Sequence, residues 1–267
     1  MTILNPGQIE GVERLLREVA RDVVMPRFRN LAAHEVQEKA ADDLVTIADQ
    51  ESEIRLSEGL AALLPGAGIV GEEACAADPR VQDRIGDGAV WIIDPIDGTG
   101  NFAAGNSPFG LMIAFAVDGE VQASWMFDPV IDRMSHARLG EGAYINGERI
   151  AARGSGEALP IAGLSMTYMP PDKRERLEER SRGHLATVPI PRCAAEQYPR
   201  IVLGQNDLTV FERTLPWDHA PGVLFVNEAG GIARRLDGSP YRVTDRRTGL
   251  LAAATPALWD LGARILF

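Results

Sequence analysis

The sequence predicts an α+β half followed by an α/β half. Three observations predict it. The turn signals Asp118-Gly119 and Asn146-Gly147 lie between apolar runs, where they read as hairpins of an antiparallel sheet. From Ile161 onward, short apolar runs alternate with longer helical patterns, which is the α/β arrangement. Between the two lies the stretch 151–159, with Gly154, Ser155 and Gly156. It is the candidate boundary, dividing the chain into residues 1–153 and 154–267.

Asn5 before Pro6 reads as an N-cap with proline at the first helical position. Val12, Leu15, Leu16, Val19 and Val23 then recur at helical spacing. A second helix is predicted from near Asp49 to Leu64, stopped by Pro65-Gly66. The apolar stretch 89–93 predicts a buried strand. Residues 110–117 and 121–127 predict a hairpin, 134–139 a further strand, and 143–145 and 149–150 the arms around Asn146-Gly147. In the second half, 161–165 predicts a strand and 171–182 a charged, exposed helix. A helix over 194–203 ends at Gly204, and 208–211 is a short strand. A helix over 217–229 is closed by Gly230-Gly231, 250–253 is a strand, and 256–265 is a last helix.

The 267 residues are 45% hydrophobic, enough for one large core or two closely packed ones. A net charge of −11 argues against a nucleic-acid surface. No run is long enough for a membrane span. Residues 1–27 mix polar and apolar types, unlike a signal peptide. Cys75 and Cys193 lie far apart and the four His are scattered, so no zinc or iron–sulfur spacing exists. Two cysteines without a disulfide framework fit a reducing cytoplasm.

The most informative run is Trp91 to Phe102. The strand over 89–93 leads into two carboxylates, Asp94 and Asp97, separated by Pro95 and Ile96 and followed by Gly98 and Thr99. Asp-Gly alone is ordinarily a hairpin turn. Two carboxylates at the end of a buried strand repel one another unless a cation lies between them. Carboxylates imply a hard ion such as magnesium, and the following backbone N–H groups could face an anion. An acidic protein acting on a phosphate would gain its positive charge from that metal.

D-P-I-D-G-T-x-N-F resembles the signature of the inositol monophosphatase family, within the fructose-1,6-bisphosphatase-like superfamily. Gly71-Glu72-Glu73 upstream, Trp217-Asp218-His219-Ala220-Pro221-Gly222 downstream (the family's W-D-x-A-x-G) and Asp43-Leu44-Val45-Thr46-Ile47-Ala48-Asp49 match in the expected order. The resemblance, running from about Lys39 to Gly231, implies a layered αβαβα sandwich with the site between the halves. It implies that Glu72 is a metal ligand that also contacts the attacking water, with Glu73 in support. Alone, Glu72 also reads as a solvated strand end. Asp94 is implied as the ligand shared by two metals, the Ile96 carbonyl as a ligand of the first, and Asp97 and Asp218 as ligands of the second. Asp218 equally reads as a helix-capping carboxylate, a role compatible with ligation. Thr99, otherwise a helix cap, and Asp49 are implied as the pair that activates the water. The amides near Gly98 and Thr99 would help hold the phosphate. Lys39 is a candidate positive neighbour.

The activity so implied is a magnesium-dependent phosphomonoesterase for a small polyol or sugar phosphate, by in-line attack of an activated water. Two or three magnesium ions, lithium sensitivity and a homodimer come with the resemblance. No Cys or His sits in a nucleophile motif. Relatives acting on inositol phosphates carry a Gly/Ser-Thr-Ala-Ala-like stretch and a Glu about six residues before W-D. Cys193-Ala194-Ala195 stands in the first place, making Ala195 a substrate-pocket candidate. Glu212 lies one residue closer to Trp217 than the pattern expects, so Arg213 competes for that position. A Glu accepts hydrogen bonds from sugar hydroxyls, whereas an Arg prefers a second anionic group. Histidinol phosphate, fructose 1,6-bisphosphate and 3′-phosphoadenosine nucleotides are the rival substrates. A non-catalytic binding protein of the same fold is disfavoured by the intact ligand set. A calcium module is disfavoured by the lack of a D-x-D-x-D-G loop.

Overall fold

The computed structural model describes residues 4–40 and 43–267. Met1–Ile3, the start of the segment read as lacking a signal peptide, lie outside the described residues. Helix α1 (Pro6–Val19) opens on a capping box between Asn5 and Gln8 and continues into a π-helical turn over Ala20–Val24. Strands β1 (Val36–Ala40) and β2 (Asp43–Thr46) pair antiparallel and lead into α2 (Ile47–Leu63). That helix starts two residues before the predicted Asp49, because the Thr46 side chain caps it by accepting from the Ala48 amide.

Among the described residues, seven strands form the first sheet, in the order β3 (Gly68–Gly71), β4 (Ala89–Asp97), β5 (Gly110–Val117), β6 (Glu120–Asp128), β7 (Arg133–Arg138), β8 (Gly142–Ile145) and β9 (Glu148–Ile150). The sheet is antiparallel except for the parallel pair β3–β4. Short helices α3 (Glu72–Ala77) and α4 (Thr99–Ala103) follow β3 and β4 directly. The second sheet is mixed, in the order β11 (Ala186–Val188), β10 (Ile161–Ser165), β12 (Leu208–Phe211), β14 (Leu250–Ala253) and β13 (Ile232–Arg234). β11 and β13 are three residues long, too short to show a period in the sequence. The helices of this half are α5 (Pro171–Ser181), α6 (Ala194–Val202), α7 (Pro216–Glu228) and α8 (Pro256–Leu266).

Strand alternation sorts the side chains into layers. On the outer face of the first sheet, Trp91, Ile93, Phe115 and Trp125 pack against Leu16, Leu56 and Leu60 of α1 and α2. Between the sheets, Met112 and Met126 meet Tyr198, Ile201, Leu224 and Phe225 of α6 and α7, with Leu250 and Ala252 of β14 behind them. On the far side, Leu251 and Ala253 of the same strand join Leu177 of α5 and Trp259 and Leu266 of α8. The order is helices, sheet, helices, sheet, helices, as the family resemblance implies.

The strand predicted to stop at Ile93 runs on to Asp97. Asp94 pairs with Met112 of β5, and Asp97 pairs with Gly110. Three steps on β4 therefore face two on β5, which is a bulge of one residue around Pro95 and Ile96. On a regular strand, residues three apart point to opposite faces. The extra residue returns Asp97 to the face of Asp94, while Ile96 is buried in the outer core.

Helices α6 and α7 approach closely at Gly222, where a Cβ would overlap the ring of Tyr198, which is itself fully buried. Gly222→Ala is expected to lower stability by about 1–3 kcal/mol through overpacking, read as a fall in the urea midpoint at unchanged slope.

Candidate active site

A cleft of about 510 Å³ opens where β3, β4 and β12 end, and Glu72, Asp94, Ile96, Asp97, Gly98, Thr99, Arg213 and Asp218 all line it. Glu72 begins α3 immediately after β3. The Glu53 carboxylate of α2 accepts from the Glu73 amide at 2.7 Å and the Ala74 amide at 2.8 Å, which anchors the first turn of α3. Lys39 donates to Glu72 Oε1 at 2.9 Å and to Glu73 Oε1 at 2.8 Å. Burial works against the Lys39 charge, but the two glutamates outweigh it and hold its pKa above the ordinary value.

Asp94 is 1% exposed, and its Oδ1 has no hydrogen-bond partner. One carboxylate oxygen each from Glu72, Asp94 and Asp218 lies within 4.8 Å of the other two. A buried, unpartnered carboxylate oxygen among carboxylates is a ligand set for a hard divalent cation, so these residues fit a metal. Burial, then Glu72, Asp97 and Asp218, push the Asp94 pKa well up. Burial raises Asp97 to about 6, against the Ala195 amide that donates to its Oδ2 at 2.6 Å. Burial and Glu72 raise Asp218 to about 8.

Asp49 sits behind Thr99, 1% exposed, its Oδ2 held by the Thr46 amide at 2.8 Å and the Thr46 hydroxyl at 2.5 Å. Burial pushes its pKa to about 7. The Thr99 hydroxyl stands 3.1 Å from Asp49 Oδ1 and 2.9 Å from the Ile96 carbonyl, one proton with two acceptors. Gly98, which precedes α4, adopts φ +82°, a conformation that favours glycine.

The residues predicted for the substrate pocket fare differently. Arg213 lines the cleft, its guanidinium 3.9 Å from the ring centre of Tyr168. Glu212 is 7% exposed and does not line it, because its carboxylate accepts from Lys173 Nζ at 2.5 Å. Ala195 lies beneath the cleft and reaches it only through its amide on Asp97.

Sequence reasoning missed Glu53, Tyr168 and Arg192. Glu53 carried a signal, since it lies four residues after Asp49 on one helix. Tyr168 and Arg192 sit in loops that line the cleft and have no periodicity to read. Both cysteines are buried and free, and among the described residues no helix is long and apolar enough to cross a membrane.

The model of the inositol monophosphatase family matches residues 8–266. An inositol-1-monophosphatase of Bacillus subtilis is 30% identical over 226 residues, 81% of each chain. A fructose-1,6-bisphosphatase/inositol-1-monophosphatase of Thermotoga maritima is 32% identical over 198 residues, 73% of each. The solved structure of the extragenic suppressor protein suhB from Bartonella henselae superposes with a TM-score of 0.83 at 22% identity, covering 97% of this chain and 98% of that one. Fold and acidic cleft together are those of a class of metal-dependent phosphatases. The chain belongs to the inositol monophosphatase family.

Asp49 and Glu53 (both raised to about 7), Asp97 (about 6) and Asp218 (about 8) bind protons in the folded state that the unfolded chain has released above about pH 4. The metal-free fold is therefore stabilised below pH 4 by these groups and loses that stability as pH rises through 6 to 8. His219, held near 3 by burial, and His136, also lowered by burial, work in the opposite sense below about pH 6.5, but they are two groups against these four. The melting temperature in chelator is expected to fall from pH 5 to pH 8. Each kcal/mol lost corresponds to about 2–4 °C. Added magnesium should restore more of it at pH 8 than at pH 5.

Proposed function

We propose that this chain is a magnesium-dependent phosphomonoesterase that hydrolyses a small polyol or sugar phosphate. The observation that carries the reading is the convergence of Glu72, Asp94 and Asp218 around an unpartnered Asp94 oxygen, with Asp97 on the same strand face. Glu72, Asp94, the Ile96 carbonyl, Asp97 and Asp218 are the proposed ligands of two or three magnesium ions. When bound, magnesium supplies the missing positive charge and Lewis acidity toward water and phosphate oxygens.

The chain's own groups then orient and move the proton. When the Ile96 carbonyl is engaged as a ligand, the Thr99 hydroxyl has Asp49 as its remaining acceptor, and its lone pair faces the water. Asp49, raised toward neutral pH by burial, is suited to accept a proton through Thr99. Glu72 contacts the same water. The Gly98 and Thr99 amides at the start of α4 hold the phosphate. Arg213 borders the leaving group, while Ala195 and Glu212 shape that side from beneath, through Asp97 and Lys173. The halves 1–153 and 154–267, a homodimer, lithium sensitivity and a cytoplasmic location complete the proposal.

Phosphate release from inositol 1-phosphate is expected to require magnesium and to vanish in excess chelator, while the far-ultraviolet circular dichroism persists. Undiminished release in chelator would sink the reading. Asp94→Asn should abolish turnover and weaken magnesium binding in calorimetry, because an amide supplies neither the charge nor the second anionic oxygen. Thr99→Ala should keep magnesium binding and lose about 10²–10⁴ in kcat, the scale of acid–base contributions.

A further inference from the structure

Helix α3 begins without a cap of its own. Its N-cap residue is Gly71, which has no side chain to accept from the first amides. An acceptor at that position is ordinarily a Ser, Thr, Asp or Asn. Here the acceptors come from another helix. Glu53 of α2 is 7% exposed, with its Oε2 on the Glu73 amide at 2.7 Å and its Oε1 on the Ala74 amide at 2.8 Å. Glycine at 71 admits that carboxylate. A Cβ there would lie 2.2 Å from Glu53 Cδ and 2.4 Å from each oxygen. A helix in need of a cap alone would carry it at position 71. The missing side chain at 71 and the carboxylate at 53 instead fit one another across two elements.

Capping from α2 fixes where Glu72 stands. Gly71 pairs with Ile93 of the parallel strand β4, so Glu72 and Asp94 are the next residues after a paired position. The backbone of Glu72 is therefore held on one side by the sheet and on the other by Glu53. Its carboxylate is met by Lys39 at 2.9 Å. Glu53 itself does not line the cleft. Four residues earlier on the same face of α2 is Asp49, whose Oδ1 lies 3.1 Å from the Thr99 hydroxyl. One turn of a helix thus spans the support of Glu72 and the support of Thr99. Leu56 and Leu60 seat that helix in the outer core with Leu16.

We propose that Glu53 is a positioning residue for the metal: by holding the backbone that follows Glu72, it sets that carboxylate toward Asp94 and Asp218 and so sets the affinity for magnesium. The proposal rests on the reading of Glu72 as a magnesium ligand. A carboxylate that only capped α3 would alter stability and leave the affinity of the folded protein alone. One that acted only by its charge would draw in the cation whatever its reach.

The test is magnesium titration calorimetry of the full chain, at a temperature where circular dichroism shows each variant folded. Glu53→Gln keeps the shape but sets an amide NH2 against one of the two backbone donors. Glu53→Asp keeps the charge but shortens the reach by a methylene. Both are expected to weaken magnesium binding about 10- to 100-fold, the scale of loss when a group supporting a metal ligand is removed. In phosphate release from inositol 1-phosphate, the magnesium concentration giving half the maximal rate should rise by a similar factor. At saturating magnesium kcat should fall less than in Thr99→Ala. Gly71→Ala displaces the Glu53 carboxylate without altering it, so it should show the same loss, and it serves if the Glu53 variants do not fold. Leu177→Ala, in the far layer with Trp259 and away from the cleft, should lower the melting temperature and leave magnesium affinity unchanged. Affinity intact in both Glu53 variants, or in folded Gly71→Ala, overturns the proposal. A loss in Glu53→Gln with wild-type affinity in Glu53→Asp replaces positioning by charge and overturns it too. So does an equal loss in Leu177→Ala, which would trace the effect to stability. A wild type that binds no magnesium overturns the metal reading and this inference with it, a result distinct from magnesium binding that every variant keeps.

Discussion

Strand β4 carries one residue more than β5 between Asp94 and Asp97, and the cleft depends on that surplus. A regular strand would send one carboxylate into the apolar layer under α1 and α2, where no cation or water could reach it. The bulge turns both to the inner face. It also sends the Ile96 side chain into the outer core and leaves its carbonyl beside Thr99. Pro95 suits this position, since it has no N–H to lose from the ladder.

Bringing carboxylates together in this way opposes folding in the absence of a metal. Asp94 and Asp97 are almost fully buried, Asp218 lies beside them, and all three are raised by burial and by their neighbours. The three apolar layers provide the stability that holds such a cluster. Lys39 and Arg213 bring local positive charge to a chain whose net charge is −11, Lys39 at Glu72 and Glu73 and Arg213 near Asp218.

Each segment that carries a carboxylate of the cleft is fixed by a group from another element. Glu53 of α2 binds the first turn of α3 behind Glu72. The Ala195 amide of α6 binds Asp97 of β4. Tyr198 of α6 joins His219, next to Asp218 on α7, across the close approach at Gly222. Phosphate chemistry thus rests on secondary structure. The opposite side of the cleft is built from the loops carrying Tyr168, Arg192 and Arg213, where sequence can change without disturbing the carboxylates.

The sequence by itself determined the carboxylates and most of the elements. Asn5-Pro6, Pro65-Gly66 and Asn146-Gly147 carry capping and turn chemistry that acts over a few residues. The runs ending at Glu72, Asp94 and Asp218 kept motifs contiguous enough to read. It did not determine that β4 runs past Ile93, because the bulge exists only in register with β5. The withdrawal of Glu212 to Lys173, 39 residues away, and the stacking of Arg213 on Tyr168 were likewise decided by the tertiary structure. Capping and turn preferences are local, whereas register, burial and ion pairing between distant segments arise only when the layers pack.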